Sequence, residues 1–351
     1  MTVEVWAAEN TTPADIDAAL RSLLEEQHAR GEAYAPARVL NMVAVVDASW
    51  RGEILNRLER VGRYHPSRTV LCAVEEGRTT LDASARLAAD GTGDPSLISV
   101  VEERVDIRMG PSHLRRLDAI VDPLILPDLV TLVWAPHGHH EAIEAMRGLA
   151  DVVLLDSSDD PNPRRAVQSV CRLHDHAYVV DLAWLRSTPW RERIAATFDP
   201  EDWRPALRQI SRVVVRHRPD SVLSGVLLLG WLGSRLGWVP GSLVEENGRH
   251  HGRARAGKLE VALDLDPAHD LSAPGLGGIT VETADGMTLS LDRSSGGLAA
   301  KRRTRDGRES SWVVLGASRG EAGILGEGIR QALLRDPTYG PAVRCAGHLL
   351  P

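Results

Sequence analysis

The sequence has little phenylalanine, few cysteines and no long apolar run. Its 351 residues include one Phe and nine Trp. The three cysteines, Cys72, Cys171 and Cys345, match neither a redox pair nor zinc-ligand spacing, and an odd number disfavours a secreted disulfide framework. The longest apolar stretch has twelve residues, 222–233, whereas a membrane-spanning helix needs roughly 20. These absences predict a cytoplasmic protein with no membrane segment.

The amino terminus also lacks the basic flank and apolar stretch of a signal peptide, since its first basic residue is Arg21. Positive charge is not in excess either: 41 Lys and Arg stand against 48 Asp and Glu, a net charge of -7. A protein without a global positive field does not condense onto nucleic acid, so general nucleic-acid binding is not expected. Hydrophobic residues make up 43% and charged residues 25%, which is typical of a folded globular chain.

The first half of the chain alternates between helical and strand patterns. Residues 12–15 (Thr-Pro-Ala-Asp) supply a helix cap, a proline at the first helical position and an acid in the first turn. Apolar residues at helical spacing follow, and β-branched runs at 39–46 and 69–74 then flank a second helical stripe. This alternation predicts an α/β fold, with an N-terminal α/β domain over residues 1–180 that contains a mixed sheet.

The second half changes its pattern twice. Residues 181–240 are rich in tryptophan and are predicted to be helical, and three glycines near their end leave a groove for another backbone: Gly230, Gly233 and Gly237. From residue 259 the apolar residues alternate with period two, and Asp-Gly pairs at 285–286 and 306–307 indicate hairpins. Residues 181–351 are therefore predicted to form a C-terminal α+β domain that opens with the Trp-rich helical segment and contains an antiparallel sheet.

No motif in the sequence indicates catalysis, a cofactor or a metal. Residues 137–141 (His-Gly-His-His-Glu) form the densest imidazole cluster, but the spacing fits no zinc site, and we interpret them as solvated loop histidines. Residues 316–320 (Gly-Ala-Ser-Arg-Gly) link a strand to a helix, but they lack the Gly-Lys-Ser/Thr of a phosphate loop, so a plain helix cap is favoured. No G-x-G-x-x-G dinucleotide motif occurs there.

Two basic groups are candidate anion-binding sites. His65 and Arg68 begin a strand, where an imidazole beside a guanidinium could hold phosphate. Lys301, Arg302 and Arg303 lie at the second hairpin and could dock an acidic partner or a phosphorylated ligand. The alternatives are packing or a partner contact for the first group and a solvated, charge-protected sheet edge for the second.

The segment from Asp181 to Glu192 combines tryptophan and arginine. Trp184, Arg186, Trp190 and Arg191 have the composition of an interface hot spot, so we predict that they bind a partner. Both tryptophans could equally fill the space between packed helices.

This segment, Asp181-Leu-Ala-Trp-Leu-Arg-Ser-Thr-Pro-Trp-Arg-Glu, resembles the most distinctive stretch of the actinobacterial OpcA family of glucose-6-phosphate dehydrogenase assembly proteins. Three further stretches agree with the family in order and spacing: Tyr64-His-Pro-Ser-Arg, Val121-Asp-Pro-Leu-Ile-Leu-Pro-Asp and Leu228-Leu-Gly-Trp-Leu-Gly-Ser-Arg-Leu-Gly-Trp. The resemblance covers about residues 10–343. Ser67 stands where members often have cysteine, so the resemblance does not imply thiol regulation here.

The resemblance implies a non-catalytic partner that helps glucose-6-phosphate dehydrogenase to assemble or to stay active in the oxidative pentose phosphate pathway. The alternative from another class is an enzyme or sensor that binds a phosphorylated sugar through His65, Arg68 and the basic hairpin. A third hypothesis is an oligomeric scaffold for an unrelated client.

Overall fold

The computed structural model describes residues 2–29, 38–62, 66–89, 101–315 and 321–351. The chain divides into two compact units. Unit 1 consists of Met1–Leu155, His176–Val180 and Leu325–Leu334, and unit 2 consists of Asp156–Asp175, Asp181–Ile324 and Arg335–Pro351. The domain boundary that the sequence places between residues 180 and 181 stays a prediction.

Unit 1 is built on an eight-stranded sheet. Along the chain its strands are β1 (Thr2–Ala8), β2 (Leu40–Asp47), β3 (Ser67–Val74), β4 (Asp82–Ala89), β5 (Val101–Met109), β6 (Val130–Trp134), β7 (Val152–Leu155) and β8 (Tyr178–Asp181). Their order across the sheet is β1-β4-β5-β3-β2-β6-β7-β8. The pairs from β5 through β7 are parallel, whereas β1 and β4 run antiparallel to their neighbours. The predicted mixed α/β sheet is confirmed.

The helices of unit 1 are α1 (Pro13–Ala29), α2 (Arg51–Gly62), α3 (Leu117–Val121) and α4 (His140–Ala145). The predicted cap of α1 is present: the Asp15 amide donates to Thr12 Oγ1 at 3.3 Å, and the Thr12 amide donates to Asp15 Oδ2 at 3.1 Å. These reciprocal bonds satisfy donors that the first helical turn leaves free. Helix α1 packs on β4, and α2 packs against β2.

Unit 2 is built on a nine-stranded sheet. Its strands are β9 (Ile210–His217), β10 (Val239–Pro240), β11 (Val244–Glu246), β12 (Arg249–Ala256), β13 (Leu259–Pro267), β14 (Leu276–Thr283), β15 (Thr288–Ser294), β16 (Gly297–Arg303) and β17 (Glu309–Leu315). The order is β10-β12-β13-β9-β14-β15-β16-β17, with β11 paired to β12. Gly286 and Gly307 have φ values of 91° and 82° in the turns after β14 and β16, as the two Asp-Gly hairpins require.

Strand β9 corrects two sequence predictions. It lies inside the segment predicted to be helical, because Val213 and Val215 point into the core while Val214 between them is partly exposed, the period-two pattern of a half-buried strand. It also runs parallel to β13, so this sheet is mixed and not purely antiparallel. Parallel neighbours need a crossover connection, and the helix that follows β9 is part of that crossover.

The helices of unit 2 are α5 (Pro163–His174), α6 (Leu182–Arg186), α7 (Thr188–Phe198), α8 (Val222–Leu236) and α10 (Tyr339–Leu349); α9 is Glu321–Leu334. Helix α8 covers one face of β9 and β13, and α10 packs on α8. The predicted glycine groove is confirmed at two of its three positions, since a Cβ on Gly230 would lie 2.5 Å from the Ala342 carbonyl oxygen and one on Gly233 would lie 2.7 Å from Cys345 Sγ. Only glycine permits these two helices to approach so closely. Gly237 is not part of it: this residue ends α8 with a φ of 67°, and a Cβ there would have no atom within 4 Å.

Among the described residues, every helix is too short or too polar to cross a lipid bilayer.

Candidate functional site

A buried carboxylate, Asp181, joins three segments of unit 2. Its side chain accepts hydrogen bonds from the Ser157 amide at 3.0 Å, the Ser157 hydroxyl at 2.6 Å, the Ala183 amide at 3.0 Å and the Tyr339 hydroxyl at 2.7 Å. Asp181 is 1% exposed, and burial together with the charge of Asp156 raises the pKa of its carboxyl. Because four donors surround a carboxylate closed to solvent, Asp181 is a structural centre with no free position for a substrate.

The indole of Trp184 forms the next layer of the same cluster. Its Nε1 donates to Asp336 Oδ2 at 2.9 Å, and the Arg191 guanidinium carbon lies 3.5 Å from the ring centroid, within the range of a cation–π contact. Arg191 Nε also donates to the Ser187 hydroxyl at 3.1 Å, and burial lowers the pKa of Arg191 to about 10. We call Asp181, Trp184, Arg191, Asp336 and Tyr339 the Asp181 cluster.

The burial of this segment corrects the expectation that all four predicted partner-binding residues form a surface. Trp184, Trp190 and Arg191 are 2%, 4% and 8% exposed, and Arg186, at 30% side-chain exposure, pairs with Asp156 at 2.6 Å. The two tryptophans therefore fill the core of unit 2, which is the alternative that the sequence left open. Direct contact of this segment with a partner stays a prediction.

The first candidate anion site contains an arginine that is already paired. Arg68 is 7% exposed, and its Nε donates to Glu103 Oε2 at 2.8 Å while its Nη1 donates to the Leu124 carbonyl at 3.3 Å. Glu103 is fully buried and also accepts from Arg38 Nε at 2.7 Å. The charge of Arg68 is therefore used inside unit 1, where a buried carboxylate would otherwise lack a partner. His65 lies outside the described residues, as does the candidate phosphate loop at 316–320.

In the second candidate anion site, Lys301, Arg302 and Arg303, two of the three basic side chains already have partners within the chain. Lys301 pairs with Glu309 at 2.9 Å, and Arg303 is exposed. The guanidinium carbon of Arg302 lies 3.9 Å from the Trp203 ring centroid and 5.8 Å from that of Trp312. This pair of cation–π contacts was not predicted, because nothing in the sequence pattern links residue 203 to a hairpin about a hundred residues later.

Two histidines of the cluster at residues 137–141 contact Asp47 at the end of β2. The Asp47 amide donates to His137 Nδ1 at 3.1 Å, and His139 Nε2 lies 2.9 Å from Asp47 Oδ1. Burial lowers the pKa of His137. These partners correct the expectation of fully solvated loop histidines. Within the described ranges no group of three or more His, Cys, Asp or Glu side chains is arranged to hold a metal ion.

The three cysteines are free thiols with raised pKa values. Cys72 is fully buried in β3, and burial raises its pKa to about 12. Cys171 and Cys345 are half-buried, and burial raises both of their pKa values as well. Since the thiolate is the reactive form, a raised pKa makes each of these thiols less reactive at neutral pH than an ordinary cysteine.

We expect Cys72 in the folded protein to resist thiol reagents at neutral pH, because with a pKa of about 12 fewer than roughly one in a thousand of these thiols is ionised. Labelling with a maleimide, followed by peptide mass analysis, measures this. The same reaction in denaturant is the control and should modify all three cysteines. Rapid modification of Cys72 in the native protein would show that β3 opens and that the thiol is accessible.

A cavity of about 440 Å³ lies elsewhere in unit 2. Ser158, Ser221, Glu245, His250 and His269 are among its lining residues, and none of the predicted site residues lines it.

Two family profiles match most of the chain. Residues 58–172 match the profile described as the glucose-6-phosphate dehydrogenase subunit N-terminal domain, and residues 177–343 match that of the corresponding C-terminal domain. The chain belongs to the OpcA family. The OpcA resemblance of the Asp181 segment is thereby confirmed, while the actinobacterial type stays a prediction.

Relatives with the OpcA name occur in cyanobacteria. The OxPP cycle protein OpcA of Synechococcus elongatus is 27% identical over 205 residues, which are 57% of this chain and 46% of that protein. The OpcA protein of Synechocystis sp. is 26% identical over 229 residues, 63% of this chain and 47% of that protein. The chain thus spans about half the length of the curated OpcA relatives it matches.

Among solved structures, the WlbA dehydrogenase from Thermus thermophilus in complex with NAD and alpha-ketoglutarate has a TM-score of 0.43 and 13% identity to this OpcA chain. That alignment covers 89% of this chain and 96% of the other. A likeness of this size carries no functional argument.

Proposed function

We propose that this chain is a non-catalytic partner of glucose-6-phosphate dehydrogenase that helps the enzyme to assemble or to remain active in the oxidative pentose phosphate pathway. The observation that carries the proposal is the match of both halves of the chain to domains described as belonging to a glucose-6-phosphate dehydrogenase subunit. The proposal implies that the protein works in the cytosol. That compartment is reducing, so the three cysteines would remain free thiols there.

The chemistry of the Asp181 cluster supports a binding role over catalysis. Asp181 is surrounded by four donors, and the Arg191 guanidinium is stacked on Trp184. A general acid or base must reach a substrate proton, and a buried carboxylate with its lone pairs occupied does not. The family's distinctive motif therefore builds mainly the interior of unit 2. Arg186 is the most exposed of the four predicted partner-binding residues, so we propose that the partner contacts this segment there.

The alternative, an enzyme or sensor for a phosphorylated sugar, has less support. Two of the basic residues that this alternative needs for phosphate already have acidic partners. Arg68 pairs with the buried Glu103, and Lys301 pairs with Glu309. Arg303 is the exposed guanidinium that this alternative would use at the hairpin. Glucose 6-phosphate that binds the isolated chain, and binds less well to Arg303→Ala, would favour this alternative.

We expect the purified chain to have no dehydrogenase activity and to raise the activity of its cognate enzyme. A coupling free energy of about 1–3 kcal/mol, usual for an allosteric partner, corresponds to a change of about fivefold or more in the enzyme's apparent affinity or activity. Titrating the chain into a fixed amount of enzyme, while NADPH formation and the complex mass are measured, tests this. The rise should saturate at a defined molar ratio.

An equal concentration of serum albumin, which is also acidic, controls for nonspecific stabilisation of dilute enzyme. A rate and a complex mass that stay constant through the titration would contradict the proposed function. Turnover of glucose 6-phosphate by the chain alone would contradict its non-catalytic part.

A further inference from the structure

A second cavity, of about 420 Å³, lies in unit 1. Its lining comes from the end of β1, the beginning of β4, the end of β5 and Arg51, the first residue of α2. Ser84 on β4 pairs with Ala7 on β1 and with Asp106 on β5, so these three side chains lie side by side on one face of the sheet. We call this space the Asp106 cavity. It lies towards the carboxyl ends of β2 and β5, the edge of a parallel sheet at which α/β proteins bind small molecules.

The Asp106 carboxylate has one oxygen with partners and one without. Asp106 is 7% exposed, and its Oδ2 accepts from Arg104 Nε at 3.1 Å and lies 3.5 Å from Arg51 Nη2. Within the described part of the chain no donor reaches its Oδ1, which is also closed to bulk solvent. An unpaired buried acceptor is unfavourable, and the terminal torsion of an aspartate is broad. A small rotation of the carboxyl group therefore lets Oδ1 accept from a molecule in the cavity.

The charged groups of the Asp106 cavity already compensate one another. Among the described residues, its lining contains two guanidinium groups and three carboxylates: Arg51, Arg108, Glu9, Asp82 and Asp106. Arg108 Nη2 donates to Asp82 Oδ2 at 3.3 Å, as Arg51 pairs with Asp106. A phosphate site needs guanidinium groups in excess of their acidic partners, and an additional cation has no unpaired aspartate to bind. The balance favours an uncharged ligand.

Paired charges still leave hydrogen-bonding groups for such a ligand. Arg51 and Arg108 each form their ion pair through Nη2, and a guanidinium has five N–H donors, so both side chains have further N–H groups that can donate. Asp106 Oδ1 accepts, and the Ser84 hydroxyl does both. A hydroxyl group also donates and accepts, so adjacent hydroxyls of one ligand match donors and acceptors that stand side by side.

We propose that the Asp106 cavity binds an uncharged polyhydroxylated molecule, a monosaccharide or a cyclic polyol. One hydroxyl donates to Asp106 Oδ1, and a neighbouring hydroxyl accepts from Arg51. The volume of about 420 Å³ is in the range of small-molecule sites and exceeds the space of a few ordered waters at about 30 Å³ each. This proposal does not depend on the function proposed above.

Titration of the full chain with D-glucose, D-ribose and myo-inositol, followed by isothermal calorimetry and saturation-transfer NMR, tests the proposal. At least one of the three should bind with a dissociation constant of about 1 mM or lower. Asp106→Asn should weaken this binding about tenfold or more, because a neutral amide replaces the charged acceptor. Glucose 6-phosphate should bind no more tightly than the best of the three, since the cavity has no excess of positive charge.

Ser84→Leu keeps the test decisive if Asp106→Asn proves unstable. Ser84 is partly exposed, and a leucine there occupies the space directly beside Asp106, so the variant should fold and lose the binding. Ala18→Leu is the control, because Ala18 is exposed on α1 and does not line the cavity; it should bind as the wild type does. Thermal unfolding establishes that each variant is folded.

The proposal is overturned if none of the three probes binds, which would mean that the cavity holds ordered water only. Unchanged binding by a well-folded Ser84→Leu overturns it as well, since the probe would then lie elsewhere. Glucose 6-phosphate that binds at least tenfold more tightly than every uncharged probe, and loses this advantage in Arg108→Ala, would make the cavity an anion site and contradict the uncharged class.

Discussion

Trp184→Ala is expected to lower the free energy of unfolding by about 3–5 kcal/mol, the usual cost of the cavity left by a buried aromatic ring. The indole is 2% exposed, and its loss also removes the partner of Asp336 and the surface on which Arg191 is stacked. Urea unfolding followed by circular dichroism measures the change.

Trp50→Ala is the matched control for this experiment. Trp50 is 49% exposed and its ring centroid lies 5.7 Å from that of His137, so its truncation should lower the free energy of unfolding by about 1 kcal/mol, clearly less than Trp184→Ala. Trp184→Phe keeps one six-membered aromatic ring and removes the hydrogen bond to Asp336, so its cost should lie below that of Trp184→Ala. Wild-type stability in Trp184→Ala, together with weaker dehydrogenase binding, would show that the indole is an interface residue and that its burial does not matter.

Asp181→Ala is expected to destabilise unit 2 by about 3 kcal/mol or more, because it leaves four buried donors without an acceptor, and each unpaired group costs about 1–3 kcal/mol. Two of those donors come from Ser157, and one is the Tyr339 hydroxyl. Tyr339→Phe removes a single bond and should cost about 1 kcal/mol, so the ratio of the two effects measures how far the cluster acts as a unit. Equal stability of Asp181→Ala and the wild type would mean that the carboxylate does not hold these segments together.

The same carboxylate predicts a dependence on pH. Burial raises the pKa of Asp181 above the ordinary value of 3.8, so the folded chain binds this proton more tightly than the unfolded chain does. Stability from this group is then fully present below pH 3.8 and is lost as the pH rises through the folded pKa. Asp181→Asn cannot titrate, so the stability advantage of the wild type over it should shrink between pH 4 and pH 7. An advantage that grows over this range would show that the hydrogen bonds lower the pKa instead.

Local sequence patterns predicted the local structure well. The Thr12 and Asp15 cap, the two Asp-Gly hairpins and the close approach at Gly230 were predicted because each depends on a few neighbouring residues and on backbone geometry. Membership of the OpcA family was also readable in advance, since it is carried by short motifs in a fixed order.

Strand β9 shows where local patterns fail. Val213, Val214 and Val215 favour a strand by their branched side chains, but the segment lies between helices and its pairing partners, β13 and β14, come about fifty and seventy residues later. Whether such a run pairs in a sheet is decided by those distant strands.

By itself, the sequence determined the family, the alternation of helices and strands in the first half, the hairpins of the second, and which residue types carry charge or aromatic rings. Only the tertiary structure decided what those residues do. Trp184 and Arg191 have the composition of a binding surface, yet they lie inside unit 2, and Arg68 serves the buried Glu103. The physical reason is that burial and pairing depend on groups far away in the chain: Asp336 lies 152 residues from Trp184, and Tyr339 lies 158 residues from Asp181.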